Sequence, residues 1–307
     1  FFFSGCLSIV FSQFLFLTLY FGDKNGIQQL LDYTKRNFVI LLTFCTSMFS
    51  SPSKIILSFK SDELRQRYIT VRPDQKGNNR YELHFDPSAV IISNHQIYSD
   101  WFFLWFIAYL NHCSDHFFIV MKKSLEKLPV LGYGMTNYHF VFLSRNWQLD
   151  KSYMVKQFQT IKQLSTKFWM LIFPEGTNMS HNNRNKSHKF AEKIGLPKQD
   201  CVLLPRVKGL YVACKELAPS TTKIIDFTIG YSEHGKDEMA QDIFTLWKIY
   251  ILGESPRNIS ILVDDGSHDI VPAEEEEREM QLLNSWITEK WQIKEQDMEY
   301  FYKNGQF

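Results

Sequence analysis

The sequence predicts an α/β protein with a mixed, largely parallel sheet flanked by helices and preceded by N-terminal membrane-embedded helices. Three observations predict it. Residues 1–21 carry no charged side chain, a run about long enough to cross the hydrocarbon core of a bilayer as a helix. From residue 89 onward, short apolar runs rich in branched residues alternate with helical patterns, as they do in sheets with helical crossovers. Polar residues then collect where successive runs end: Asn94 and His95, Arg145, and Glu175. Open α/β sheets bind ligands at that edge. The 307 residues can bury a sizeable core. We divide them into an anchor of one or two hydrophobic segments (1–52), a core domain (53–232), and a C-terminal strand with an amphipathic helical extension (233–307).

The elements follow in order. Residues 22–37 read as a polar connector. Residues 38–49 form a second uncharged run, stopped by Ser50, Ser51 and Pro52; twelve residues are short for a full crossing, so a hairpin resting in one leaflet is an alternative. Residues 72–79 are a loop between strand-like segments. Residues 89–92 read as a core strand, Ser99 as the N-cap of the aromatic helix that follows, and 117–121, 138–143 and 169–173 as further strands. Met154, Phe158, Ile161, Leu164 and Phe168 recur at three- and four-residue spacing, which predicts a helix over 151–168. Residues 178–189 read as a solvated polar loop and 201–204 as another strand. Strands are also expected at 224–230 and 259–263. The acidic run 274–277 suits the positive end of a helix dipole, and an apolar stripe from Met280 to Met298 predicts a long C-terminal helix.

Composition narrows the class. The net charge of +1 provides no global field for nucleic acid. Aromatic residues make up 16% of the chain, 27 of them Phe; clustered near the start and at 101–118, they point to lipid or a lipid-like ligand. The five cysteines have no CxxC spacing, so neither a disulfide framework nor a zinc site is indicated, and no metal is expected.

The chemistry centres on Asn94, His95 and Asp100. Five residues along one regular helix would put His95 and Asp100 on different faces. They can meet if His95 lies on the turn and Asp100 in the first helical turn. A carboxylate so placed holds an imidazole in one tautomer and stabilises it once protonated. About 0.5 such His–Asp spacings are expected by chance in a chain of this composition, so the pair needs support from elsewhere. Support comes from three later blocks: Arg145 after an apolar run, Glu175-Gly176-Thr177 after Phe173-Pro174, and Pro205-Arg206 after residues 201–204.

The set N-H-x4-D, strand then Arg, F-P-E-G-T, and strand then Pro resembles the glycerophospholipid acyltransferase family, the PlsC-like enzymes, over residues 89–209. The stretches YSDWFFLW, FLSRNWQLD, LIFPEGTN and LLPRVKGL are most similar to the branch of lysocardiolipin and lysophosphatidylinositol acyltransferases, among its fungal members. The resemblance implies the glycerolipid acyltransferase fold. It implies transfer of a fatty acyl group from acyl-coenzyme A, as co-substrate and with no resident cofactor, to the free hydroxyl of a lysophospholipid. It implies His95 as general base and Asp100 as its orienting partner. Arg145 would hold the acceptor's phosphate, Glu175, Gly176 and Thr177 would place the acceptor with Asn94, and Pro205 would serve the acyl donor or the shape of the site. Lys122 is a weaker phosphate-contact candidate. A coenzyme A-independent transacylase and a non-catalytic membrane scaffold of the same fold are the alternatives. The aromatic helix at 101–110 is expected in the core, and also as a wall for the fatty chain. An internal membrane such as the endoplasmic reticulum is the expected location, with the catalytic part facing the cytosol and the sequons at Asn178, Asn185 and Asn258 unmodified.

Overall fold

The computed structural model describes residues 2–19, 24–74, 76–164, 167–217, 223–266 and 276–307. Two helices, α1 (Phe2–Leu19) and α2 (Lys24–Phe49), lead into β1 (Lys54–Phe59), α3 (Asp62–Tyr68), the hairpin of β2 (Ile69–Pro73) and β3 (Asn79–Leu83), and β4 (Ser88–Ser93). Next come α4 (Asp100–Leu110), β5 (Phe117–Lys122), α5 (Leu131–Asn137), β6 (Val141–Leu143), α6 (Trp147–Leu164) and β7 (Phe168–Ile172). The chain closes with α7 (His181–Ile194), α8 (Val207–Leu217), β8 (Ile224–Tyr231), the short α9 (Ala240–Ile243), β9 (Asn258–Asp265) and α10 (Glu276–Asn304).

Seven strands form one sheet in the order β1-β9-β8-β4-β7-β5-β6. Its pairings are parallel except β8 with β9, which is antiparallel. β4 is the middle strand, and its side chains alternate between two cores. Ala89 and Ile91 enter the one that also holds Phe38, Val39 and Leu42 of α2 and most of α4. Val90 and Ile92 enter the other, with Met154, Phe158 and Ile161 of α6 and Leu283, Ile287 and Trp291 of α10. A strand covered on both faces must be apolar throughout, which is why residues 89–92 carry no polar position.

Among the described residues, α1 is the one helix long and apolar enough to cross a membrane, and only 11% of its 18 residues are buried. Its packed side is partly polar: Gln13 Nε2 donates to Thr34 Oγ1 of α2 at 3.3 Å and Gln13 Oε1 accepts from Asn137 Nδ2 of α5 at 3.0 Å.

Several boundaries differ from expectation. The run at 38–49 is the second half of one helix that already begins at Lys24, so most of the expected connector is helical; Gly22 and Asp23 lie outside the described residues, as do Glu274 and Glu275 of the acidic run. Residues 178–189 are largely α7 rather than loop. Ser180 caps it by accepting from Asn183 N, and Gly195 ends it in the left-handed region. Residues 201–204 are buried but are no strand. The amides here go to side chains instead: Glu295 of α10 accepts from the backbone N–H of Asp200, Cys201 and Val202 at 2.7–3.0 Å, and Ser187 Oγ from Leu204 N at 3.0 Å. α6 lies four residues earlier than its apolar spacing suggests. Asn146 receives the N–H of Leu149 and Asp150 at its start, and Phe168 is claimed by β7, where it pairs with Ser88. The strand expected at 138–143 shrinks to Val141–Leu143, with His139 at φ 57°.

Candidate active site

The site gathers at the C-terminal ends of the parallel strands. His95 follows β4, Arg145 follows β6, Glu175 follows β7, and Tyr231 ends β8. His95 and Asp100 do meet: Nδ1 of the imidazole lies 2.8 Å from Asp100 Oδ2. The carboxylate is fully buried and the imidazole is 17% exposed. Asp100 Oδ2 also accepts from the backbone N–H of Gln96 at 2.6 Å and Ile97 at 3.0 Å, while Oδ1 accepts from the Tyr231 hydroxyl at 2.5 Å. Four donors thus converge on two oxygens, the pattern a carboxylate satisfies as pure acceptor. Burial first, and then the Asp100 charge, pushes the Tyr231 phenol well above its ordinary value, which keeps it a donor. Ser99 stands at the N-cap position, but its side chain makes no capping bond. Asp100 takes the turn's free N–H groups in its place.

This geometry fixes the imidazole tautomer. With Nδ1–H turned to the carboxylate, Nε2 carries a lone pair and can take a proton. The ring stacks on Phe173, centroids 4.2 Å apart and planes at 18°. The backbone of His95 is clamped as well: its N–H donates to Glu175 Oε2 at 3.4 Å, and its carbonyl accepts from Met179 N at 2.7 Å. Gln96 Nε2 ties the same turn to the carbonyl of Cys201 at 2.9 Å.

Glu175 is buried beneath this turn and does not reach Arg145. Its Oε1 accepts from Trp291 Nε1 of α10 at 3.3 Å. Burial raises its carboxyl well above the usual range, against the pull of the N–H groups of Trp291, His95 and Leu203. Gly176 turns the chain at φ 70°, a conformation glycine adopts without strain. Arg145, itself at φ 68°, donates from its guanidinium to the Gly176 carbonyl at 3.0 Å. A Cβ on Gly176 would meet the Arg206 side chain at 3.6–3.8 Å, so two exposed arginines flank this one glycine. Thr177 Oγ1 accepts from Asn183 Nδ2 at 3.0 Å. Pro205 leads into Arg206, whose N–H donates to the Pro174 carbonyl at 2.7 Å and joins the third and fourth blocks.

Two candidates stand apart. Asn94 is fully buried; its amide accepts from Ile229 N at 2.8 Å and donates to Ile229 O at 3.0 Å, extending the pairing of β4 with β8. Lys122 is exposed at the end of β5. Tyr231, Trp291, Phe173 and Glu295 escape sequence reasoning, since each is an apolar or charged residue in an ordinary strand or helix pattern. One group of potential metal ligands occurs among the described residues: Cys201, Glu295 and Glu299, with ligand atoms within 4.8 Å. Glu295 already accepts three backbone N–H groups, and Glu299 pairs with Lys236 at 2.6 Å.

A strand-end imidazole held by a carboxylate, with an arginine-flanked glycine turn beside it, can move a proton next to an anionic group. Residues 69–229 match the family model described as Acyltransferase, and the chain belongs to that family: it is an acyltransferase. The chain is 32% identical to a 2-acyl-1-lysophosphatidylinositol acyltransferase of Saccharomyces cerevisiae, over 100% of this chain and 83% of that protein. It is 25% identical to a probable 1-acyl-sn-glycerol-3-phosphate acyltransferase of Arabidopsis thaliana, over 98% and 74% of the two chains. With lysocardiolipin acyltransferase 1 of Gallus gallus it shares 32% identity over 71% of this chain and 54% of that protein.

Proposed function

We propose that the protein transfers a fatty acyl group from acyl-coenzyme A to the free hydroxyl of a lysophospholipid at the surface of an internal membrane. The observation that carries this reading is the 2.8 Å contact of His95 Nδ1 with the buried Asp100. An alcohol near neutral pH is a weak nucleophile. Nε2 of His95 takes its proton as the oxygen attacks the thioester carbonyl; the imidazolium then returns the proton to the departing thiolate. Asp100 stabilises the cation in between. The new ester bond forms as the thioester bond breaks, so no acyl-enzyme and no resident cofactor is required. Arg145, with Arg206 beside it at Gly176, offers guanidinium forks of the kind that bind an acceptor's phosphate. The names of the similar proteins support a lysophospholipid acceptor, with lysophosphatidylinositol and lysophosphatidic acid first to try.

A hydrophobic α1 supports membrane attachment, and a cytosolic supply of acyl-coenzyme A supports a site on that side. Asn178, in the first sequon, is buried with its amide bonded to Gln241, a position closed to a glycan. The reading is tested by incubating the purified chain with acyl-coenzyme A and a panel of lysophospholipids. Diacyl product is expected with at least one acceptor. Product formed from a diacyl phospholipid donor without acyl-coenzyme A would assign a transacylase, and no product under either regime would overturn the reading.

A further inference from the structure

We propose that residues 246–252 form a second lipid-contacting element, which seats the active-site turn at the bilayer surface; this rests on the membrane-surface reading above. Leu246, Trp247, Ile251 and Leu252 are 49–63% exposed, four large apolar side chains within seven residues. Scattered exposed apolar residues need no explanation, but a contiguous patch marks an interaction site. The four lie on and beside a π-helical turn, Lys248–Leu252, whose Ile249 is buried in the core. One side of the turn is therefore anchored, and Trp247, Ile251 and Leu252 are presented to solvent, with Lys248 half-buried beside them.

The patch is continuous with the C-terminal end of α2. Ser50 Oγ, just past α2, donates to Ile249 O at 2.9 Å, and Ser51 N donates to Gly253 O at 2.7 Å. Gly253 has φ 73°, and a Cβ there would lie 2.3 Å from Phe49 O, so the two segments approach closer than any side chain permits. Met48 and Phe49, on the last turn of α2, are each 62% exposed and extend the same surface. The uncharged α1 packs along the same helix α2, with Gly5 against Leu41. A bilayer is the occupant that this continuity selects: an apolar strip with a tryptophan beside a hydrophobic anchor lies naturally at the headgroup level. The strip also touches the chemistry. Phe244, immediately before it, packs its ring 5.7 Å from Tyr231, whose hydroxyl holds Asp100. Insertion of the strip thus fixes the height of His95 above the lipid, where a lysophospholipid hydroxyl must reach it.

The test uses the full chain in phosphatidylcholine vesicles. All five native cysteines are buried, so a fluorophore is attached to Trp247→Cys, to Ile251→Cys, to Phe11→Cys on α1, and to Ser285→Cys at an exposed position of α10. Nitroxide-labelled lipid is expected to quench positions 247, 251 and 11 but not 285. Quenching at 11 without 247 or 251 would overturn the proposal and leave membrane attachment standing; no quenching at any position would sink both. A blue shift at 247 without lipid quenching would put a protein, such as a second copy, on the patch, and would also overturn it. In a kinetic arm, Trp247→Glu with Ile251→Glu should lower kcat/KM for vesicle-borne acceptor about a hundredfold, from the lost burial of the exposed parts of two large apolar side chains, with no change for a monomeric short-chain acceptor. Equal loss on both acceptors would contradict a lipid-seating role.

Discussion

Tyr231→Phe is the sharpest probe of how the His95–Asp100 pair is held. The substitution removes one oxygen and leaves the ring, which packs among Phe103 and Phe244, so no cavity opens in the core. What changes is Asp100, which loses the 2.5 Å donor on Oδ1 while the contacts of His95, Gln96 and Ile97 with Oδ2 stay in place. Hydrogen bonds to charged groups contribute about 1.5–3 kcal/mol. Part of that appears as stability, because a buried carboxylate oxygen is left without its partner. Part appears in the transition state, because a carboxylate free to rotate orients the imidazole less well. If the transition state bore the entire loss, kcat would fall about 10- to 100-fold, with tenfold per 1.4 kcal/mol. Urea unfolding and initial rates with saturating acyl donor and acceptor, measured on the same preparation, separate the two parts. A midpoint shift with kcat reduced and KM for the acceptor unchanged is expected. Wild-type kcat in a protein destabilised by the full amount would refute the claim that Tyr231 positions the base through Asp100.

Other outcomes follow from the same contacts. Glu175 has a carboxyl raised by burial; its favourable contribution to stability is complete below the ordinary carboxylate value and is lost as pH rises through the raised one. Glu175→Gln should therefore flatten the fall of stability towards alkaline pH in urea titrations, whereas an unchanged slope would show that Glu175 is not its source. Gly176→Ala places a Cβ at φ 70° with Arg206 in ordinary contact; a loss of about 1–2 kcal/mol is expected from the backbone, with a raised KM for the phospholipid acceptor, and an unaltered KM would separate this turn from acceptor binding. Lys294 of α10 donates to Asp226 Oδ1 at 2.5 Å, Phe227 O at 2.9 Å and Thr228 Oγ1 at 2.8 Å, all buried. Lys294→Met should cost about 3–5 kcal/mol by stranding Asp226, and restoring that loss with Asp226→Leu in the double variant would be the mark of a pair rather than a packing defect.

The centre of the sheet and its strand ends were legible because β4 and β7 are buried on both faces and are written as nearly unbroken apolar runs. The His95–Asp100 geometry was legible for a related reason: a five-residue spacing that fails on one helix works across a turn and a helix start. What stayed hidden depends on partners distant in sequence. Residues 201–204 look like a strand, yet the amides of Cys201 and Val202 are taken by Glu295, about ninety positions on, and that of Leu204 by Ser187, and nothing local records that. α7 has too little apolar periodicity to announce itself, and only Ser180 and Gly195 mark its ends. Tyr231 ends an ordinary buried strand, and its role emerges only when β8 lies beside β4. Trp291 sits on the expected apolar stripe of α10, where its indole N–H and its bond to Glu175 leave no trace in the pattern. The C-terminal helix, expected as an amphipathic extension, also supports the turn that carries His95, through Trp291 and Glu295.

The central claim is that Nε2 of His95 takes the proton of the attacking hydroxyl. Its most direct measurement is the initial rate of acyl transfer from acyl-coenzyme A to the preferred lysophospholipid by the wild-type chain and by His95→Ala, with unfolding midpoints compared. A general base contributes about 10²–10⁴-fold, so the variant should fold and bind acceptor normally yet lose at least a hundredfold in kcat. A folded His95→Ala protein that turns over at the wild-type rate would contradict the account.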